Sequence, residues 1–150
     1  MLVQLTAVCL IAAAQSYEVA PESLYSILQV EGGTVGVAMP NLRKDGSIRS
    51  EDLGPFQINT AWLPSFAAYW KMPGQDSTYE LLRDDGCAGA YAAAAIIRYH
   101  WQRTGSFDRA VAFYHTGPKG DPAAMAKYLA RYRGVLANNF GLAPARPGGP

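Results

Sequence analysis

Pro21-Glu22-Ser23-Leu24-Tyr25-Ser26-Ile27-Leu28-Gln29-Val30-Glu31 runs into Gly32-Gly33. The stretch reads as a helix. Proline opens it at a first-turn position, where a missing N–H costs little, and the glycine pair stops it. Ile27 and Leu28 precede Glu31 by four and three residues. At helical spacing they share its face. The helix therefore carries a carboxyl group on an apolar stripe, where poor solvation favours the protonated form. A carboxylic acid kept neutral near pH 7 can serve as a general acid. A helix-terminal Glu turned to water is the plain alternative, and segments further along the chain weigh against it.

The neighbours of this helix are also helical in pattern. Leu2–Tyr17 reads as a first helix. Leu5 to Ala14 within it is an apolar run of signal-peptide length, and Ala12-Ala13-Ala14-Gln15 resembles a cleavage site. It has no positive n-region, however, and continues unbroken into Gln15-Ser16-Tyr17-Glu18-Val19. The run is therefore assigned to the folded domain, with any signal peptide absent from this chain. It is too short to span a bilayer.

Beyond Glu31, Gly32 to Leu53 is irregular, with room for a short β-ribbon turning at Asp45-Gly46. Trp62–Trp70 suits a helix with Trp62, Phe66, Tyr69 and Trp70 inward. Ser77–Arg83 suits a short one. Asp84 or Asp85 can cap a long helix over Cys87–Arg103, where Tyr91, Ala94, Ala95 and Arg98 keep helical spacing. Ser106 can cap Phe107–His115, and Asp121-Pro122 starts a last helix to about Arg133. The expected organisation is one mainly α domain over 1–140 and a flexible Pro/Gly-rich tail over 141–150.

Composition agrees with a compact domain. The chain has 150 residues, 49% hydrophobic and 17% charged, enough for a single core. A net charge of +1 gives no basic field for nucleic acid. No Lys, Arg or His precedes Arg43, so the basic residues gather later; ordinary solvated helix faces account for them. The two cysteines, Cys9 and Cys87, lack metal-ligand spacing. They are free thiols in a cytosolic protein and a disulfide in an exported one.

Four landmarks occur in order: Val30-Glu31-Gly32-Gly33; Asp52-Leu53-Gly54-Pro55-Phe56-Gln57-Ile58-Asn59; Asp85-Gly86-Cys87 opening a long helix; and Ala112-Phe113-Tyr114-His115-Thr116-Gly117. Together they resemble the soluble lytic transglycosylase family, from about Val8 to Arg133. The likeness is strongest to the specialised transglycosylases of conjugation and type IV secretion systems. Those carry a similar Gly-Pro-Phe-Gln-Ile-Asn segment, a following Trp-Leu-Pro (here Trp62-Leu63-Pro64) and paired cysteines.

The resemblance implies a lysozyme-like helical fold with a short irregular or β-ribbon segment between the catalytic helix and the Gly54–Asn59 motif. It also implies a Cys9–Cys87 disulfide, a periplasmic or exported setting, and a monomer without cofactor or metal. Glu31 would be the catalytic acid. Gly54, Phe56, Gln57, Ile58, Asn59, Tyr114 and His115 would bind substrate. Gly54 would let the backbone approach a sugar. Gln57 and Asn59 would meet N-acetyl and hydroxyl groups. Phe56 would offer a ring to a sugar or pack beneath the cleft, and Tyr114 would orient Glu31.

Two departures stand out. Gly32 follows Glu31 where the family commonly has Ser, so a supporting hydroxyl must come from elsewhere, with Thr34 a candidate. His115 stands where Asn is common.

The implied substrate is the glycan strand of peptidoglycan, with secretion or conjugation machinery as the implied partner. A single carboxyl group suffices to give a 1,6-anhydro end. Asp45, Glu51 and Asp52 lie where a second acid would make the protein a hydrolytic muramidase. An inactive peptidoglycan-binding assembly protein is the reading from another class. A helical interaction domain without a sugar site would make the ordered motifs coincidence.

Overall fold

Thr6 starts the first helix, later than the apolar pattern suggests. In the computed structural model, which describes residues 1–142, its hydroxyl accepts from the Cys9 N–H and caps α1 (Ala7–Ser16). Such a cap is worth about 1 kcal/mol. Leu2 to Leu5 is not helical, because its backbone has another partner. Val3 N–H donates to the Asp84 carbonyl, and the Val3 carbonyl accepts from Gly86 N–H. A Cβ on Gly86 would lie 2.7 Å from Leu5 N, so glycine permits this approach.

The second helix, α2 (Pro21–Glu31), ends as its sequence indicates. Gly32 takes the left-handed conformation (φ 60°), and its N–H donates to the Leu28 carbonyl. Leu24 and Ile27 are fully buried, each contributing roughly 1.5–3 kcal/mol. The irregular region supplies two strands, and the Gly54–Asn59 motif the third, of an antiparallel sheet in the order β1 (Ala38–Leu42), β2 (Ile48–Leu53), β3 (Ile58–Asn59). Its hairpin turns at Asp45-Gly46: Asp45 accepts from Ser47 N–H and hydroxyl, and Gly46 has φ 83°. Register pairs Asn41 with Ser50, Met39 with Asp52, and Asp52 with Asn59.

A 3₁₀ turn (Thr60–Trp62) leads into α3 (Leu63–Tyr69). Phe66 is buried and Trp62 and Trp70 pack on the core, but Tyr69 is 63% exposed. Tyr69, the last residue of the helix, instead turns outward, where its hydroxyl accepts from that of Tyr17. Next come α4 (Gln75–Asp84) and α5 (Gly86–Thr104), whose cap is Asp85. Then come α6 (Phe107–Thr116), capped by Ser106, and α7 (Pro122–Phe140), capped by Asp121.

Helix α7 passes the expected end near Arg133. Gly134 sits inside it with open space around it, and Gly141 in the left-handed conformation ends it. Of the tail expected over 141–150, residues from 143 on lie outside the described part.

The alanine-rich face of α5 meets α1 and α6; Ala90, Ala92, Ala93 and Ala94 are all fully buried. Cys9 on α1 is bonded to Cys87 on α5, with Cα atoms 5.7 Å apart. Closing so long a loop stabilises by roughly 4 kcal/mol in the chain-entropy picture. The architecture is thus mainly helical, with one small sheet packed against α4 and α5. No helix among the described residues is long and apolar enough to cross a membrane.

Candidate active site

Glu31 lies at the C-terminal end of α2, on one wall of a cleft of about 920 Å³. Gln57, Asn59, Tyr114 and His115 line the same cleft. Gly54, Phe56 and Ile58 do not reach it. The Phe56 and Ile58 side chains, 0% and 1% exposed, belong to the core. Gln57 reaches the cleft from a turn in which it takes a left-handed backbone, and in the short strand that follows Ile58 points to the core while Asn59 faces the cleft.

Gly54 is needed for a different close approach. It has φ 64°, and a Cβ there would stand 2.6 Å from the Leu82 carbonyl oxygen. It lets the end of β2 dock on α4 rather than admitting a sugar. A Cβ on Gly33 would meet the Gly54 carbonyl at 2.1 Å and Gln57 Nε2 at 2.5 Å. Gly33 N–H also donates to the Pro55 carbonyl. The glycines thus bring the end of α2 against the Gln57 loop. Gln57 itself has φ 54°, and its amide donates to the Gly54 carbonyl at 2.9 Å.

The hydroxyl that holds Glu31 comes from an unexpected residue. Tyr128, on α7, donates to Glu31 Oε1 at 2.6 Å. Tyr114, the residue the sequence put in this role, donates instead to the Phe56 carbonyl at 2.7 Å. It therefore ties α6 to the Gly54–Asn59 loop. Burial raises the Tyr114 phenol, as do the nearby charges of Glu31 and Asp52, so it remains a donor. Burial likewise raises Tyr128, reinforced by Glu31. Arg131, one turn further along α7, donates to the Val30 carbonyl at 3.2 Å. Together Tyr128 and Arg131 fix the last turn of α2 from outside.

Burial pushes the Glu31 carboxyl up to about 7. The Tyr128 hydrogen bond opposes the rise, Asp52 adds to it, and Arg131 opposes it again. Desolvation thus outweighs one strong hydrogen bond and a nearby cation. A carboxyl near 7 is half protonated at neutral pH and can both give and take a proton.

Asp52 stands in the same cleft, held by two amides. Asn41 Nδ2 donates to its Oδ2 at 3.0 Å and Asn59 Nδ2 to its Oδ1 at 2.9 Å. Both amides also reach the Ser50 hydroxyl. Three adjacent strands therefore present one polar network toward Glu31.

His115 stacks on the Tyr128 ring, centroids 4.5 Å apart and planes 3° from parallel. Desolvation, then the charge of Arg131, holds its imidazole below the ordinary value, with Asp52 opposing. It is a largely neutral ring at pH 7, backing the tyrosine that holds Glu31. His100 is buried among Trp62, Tyr99 and Phe113. Among the described residues no group of three or more His, Cys, Asp or Glu side chains gathers as metal ligands.

Sequence reasoning missed Tyr128, Arg131 and the Asn41–Ser50 partners of Asp52. The i, i+4 pair Tyr128 and Tyr132, both almost fully buried, was the available signal for the inner face of α7. No protein-family model matches the chain, and no curated protein matches it in sequence.

Proposed function

We propose that the protein is a peptidoglycan lytic transglycosylase, with Glu31 as its single acid and base. The observation that carries this reading is Glu31 itself: a carboxyl group raised to about 7, held by Tyr128, in an open cleft bordered by amide and hydroxyl groups. The order of the Glu31, Gly54–Asn59, Cys87 and Tyr114 landmarks supports the same family. The Cys9–Cys87 bond suits an exported protein, and the reading places it in the periplasm, where the polymer lies.

In the reaction, Glu31 gives its proton to the oxygen bridging N-acetylmuramic acid and N-acetylglucosamine. The bond from C1 to that oxygen breaks. The muramoyl C6 hydroxyl attacks C1, and its proton returns to the Glu31 carboxylate. The product is a 1,6-anhydro end, and no water is consumed. Gln57, Asn59 and the Asn41–Asp52 network would hold hydroxyl and N-acetyl groups. Local opening of the wall for a secretion or conjugation apparatus rests on the family resemblance.

A second reading, a hydrolytic muramidase, draws on Asp52, which lines the same cleft and whose charge reaches Glu31. It would activate a water molecule as the second carboxylate. Both Asp52 oxygens already accept amide hydrogen bonds, which suits a positioning group better. Digestion of peptidoglycan in water labelled with heavy oxygen separates the two. Unlabelled anhydro products are expected. Labelled reducing ends, lost equally in Asp52→Asn and Glu31→Gln, would establish the hydrolase. A suspension that Glu31→Gln binds, and that neither it nor the native protein clears, would establish a binding protein.

A further inference from the structure

A second hollow adjoins the Glu31 cleft. It measures about 580 Å³ and lies between the end of α1, α3 and the later turns of α5. Tyr17, Trp62, Tyr69 and Tyr99 supply aromatic walls, and Ser65 and Gln102 supply polar ones. Trp62 and Ser65 line both hollows, so the two meet where α3 begins.

The rings are braced. Trp62 and Tyr99 meet edge to face with centroids 5.6 Å apart. The Tyr17 hydroxyl donates to that of Tyr69 at 3.2 Å. Arg98 donates to the Tyr17 and Glu18 carbonyls, both at 2.7 Å, and lies over Trp101. The end of α1 is thereby fixed to α5. Tyr69 and Tyr99 nevertheless stay 63% and 44% exposed. Exposed rings gathered on a braced hollow of this size mark a ligand site.

The chemistry of the walls selects the ligand. A pyranose has a face of C–H groups and an edge of hydroxyls. Aromatic rings take the face, and serine and amide groups take the edge. Among the described residues the wall's cation is Arg98, which already serves backbone carbonyls, so an anionic ligand finds no free partner among them. We propose that the hollow is a distal saccharide site, filled by the same N-acetylated glycan strand that enters the Glu31 cleft, continuing past Trp62. The proposal rests on the reading of that cleft as a glycan site. Its occupant follows from the shared wall: a polymer lying in one hollow has its next sugars at the other.

Calorimetry with N-acetylglucosamine oligomers of increasing length tests it, using Glu31→Gln to prevent cleavage. Affinity should rise about tenfold, or about 1.4 kcal/mol, once the oligomer is long enough to pass Trp62. Adding Tyr69→Ala should remove that rise, and adding Tyr69→Phe, which keeps the ring, should retain it. Equal affinity for short and long oligomers would overturn the proposal and leave the Glu31 cleft as a glycan site. So would a length effect that Tyr69→Ala leaves intact, or one that Tyr69→Phe abolishes. A dimer in sedimentation that Tyr69→Ala dissolves would assign the hollow to a second copy of this chain. Failure of every oligomer to bind would reject the glycan reading of the cleft and the proposal with it.

Discussion

Tyr128 donates its hydroxyl proton to Glu31 at 2.6 Å, although the two residues stand 97 positions apart. The bond stabilises the carboxylate and so restrains a carboxyl group that burial drives upward. Replacing Tyr128 with Phe removes the restraint. The Glu31 pKa should then move further above 7, and the alkaline limb of the pH–rate profile should shift to higher pH. The lost bond to a charged group should also cost about 1.5–3 kcal/mol. A limb that stays in place would remove Tyr128 from the control of Glu31.

Glu31→Gln keeps size and hydrogen bonding but loses the transferable proton. Activity on peptidoglycan should fall by about 10²–10⁴-fold, and further if one residue serves both steps. Stability should move the other way. The folded pKa, about 7 against an ordinary 4.5, lies above the unfolded one. The native protein therefore loses stability as pH rises through that interval. At roughly 1.4 kcal/mol per pKa unit, the variant should gain about 3 kcal/mol near pH 8 and nothing near pH 4. Chemical denaturation at the two pH values measures this.

Asp52→Asn removes a negative charge that raises Glu31. Its alkaline limb should move to lower pH, opposite to that of Tyr128→Phe. The rate loss should be smaller than for Glu31→Gln, because the proposed reaction activates no water. A loss as large as that of Glu31→Gln would count against the transglycosylase reaction.

Reduction of Cys9–Cys87, or replacement of both by Ser, should lower the melting temperature markedly, the bond being worth roughly 4 kcal/mol. Gly54→Ala should destabilise by about 2–4 kcal/mol through a left-handed backbone and the 2.6 Å approach to Leu82. An unchanged melting temperature would contradict the docking of β2 on α4.

The sequence revealed features that depend on nearby residues. The start and stop of α2, the Asp85 and Ser106 caps and the Asp45-Gly46 turn were legible because a few adjacent residues settle each. Contacts from distant parts of the chain were not. Leu2 to Leu5 leaves α1 for Asp84 and Gly86, and no propensity records such a partner. Gly54 looked like a glycine cleared for substrate, while its neighbour is a helix carbonyl. Phe56 and Ile58 share a motif with Gln57 and Asn59, yet a left-handed turn at Gln57 and a two-residue strand divide them between core and cleft. The supporting tyrosine was sought beside the motif and lies on the last helix.

That last helix has a consequence for when the chain becomes reactive. In an unfolded or half-made chain Glu31 is an ordinary carboxyl, almost wholly ionised at neutral pH. Its raised pKa comes from burial in the folded domain, while Tyr128 and Arg131 on α7, synthesised long after it, hold that rise in check. A nascent chain therefore carries the glutamate early and the acid late. Under the proposed function, proton transfer near neutral pH would wait until the domain has folded around Glu31.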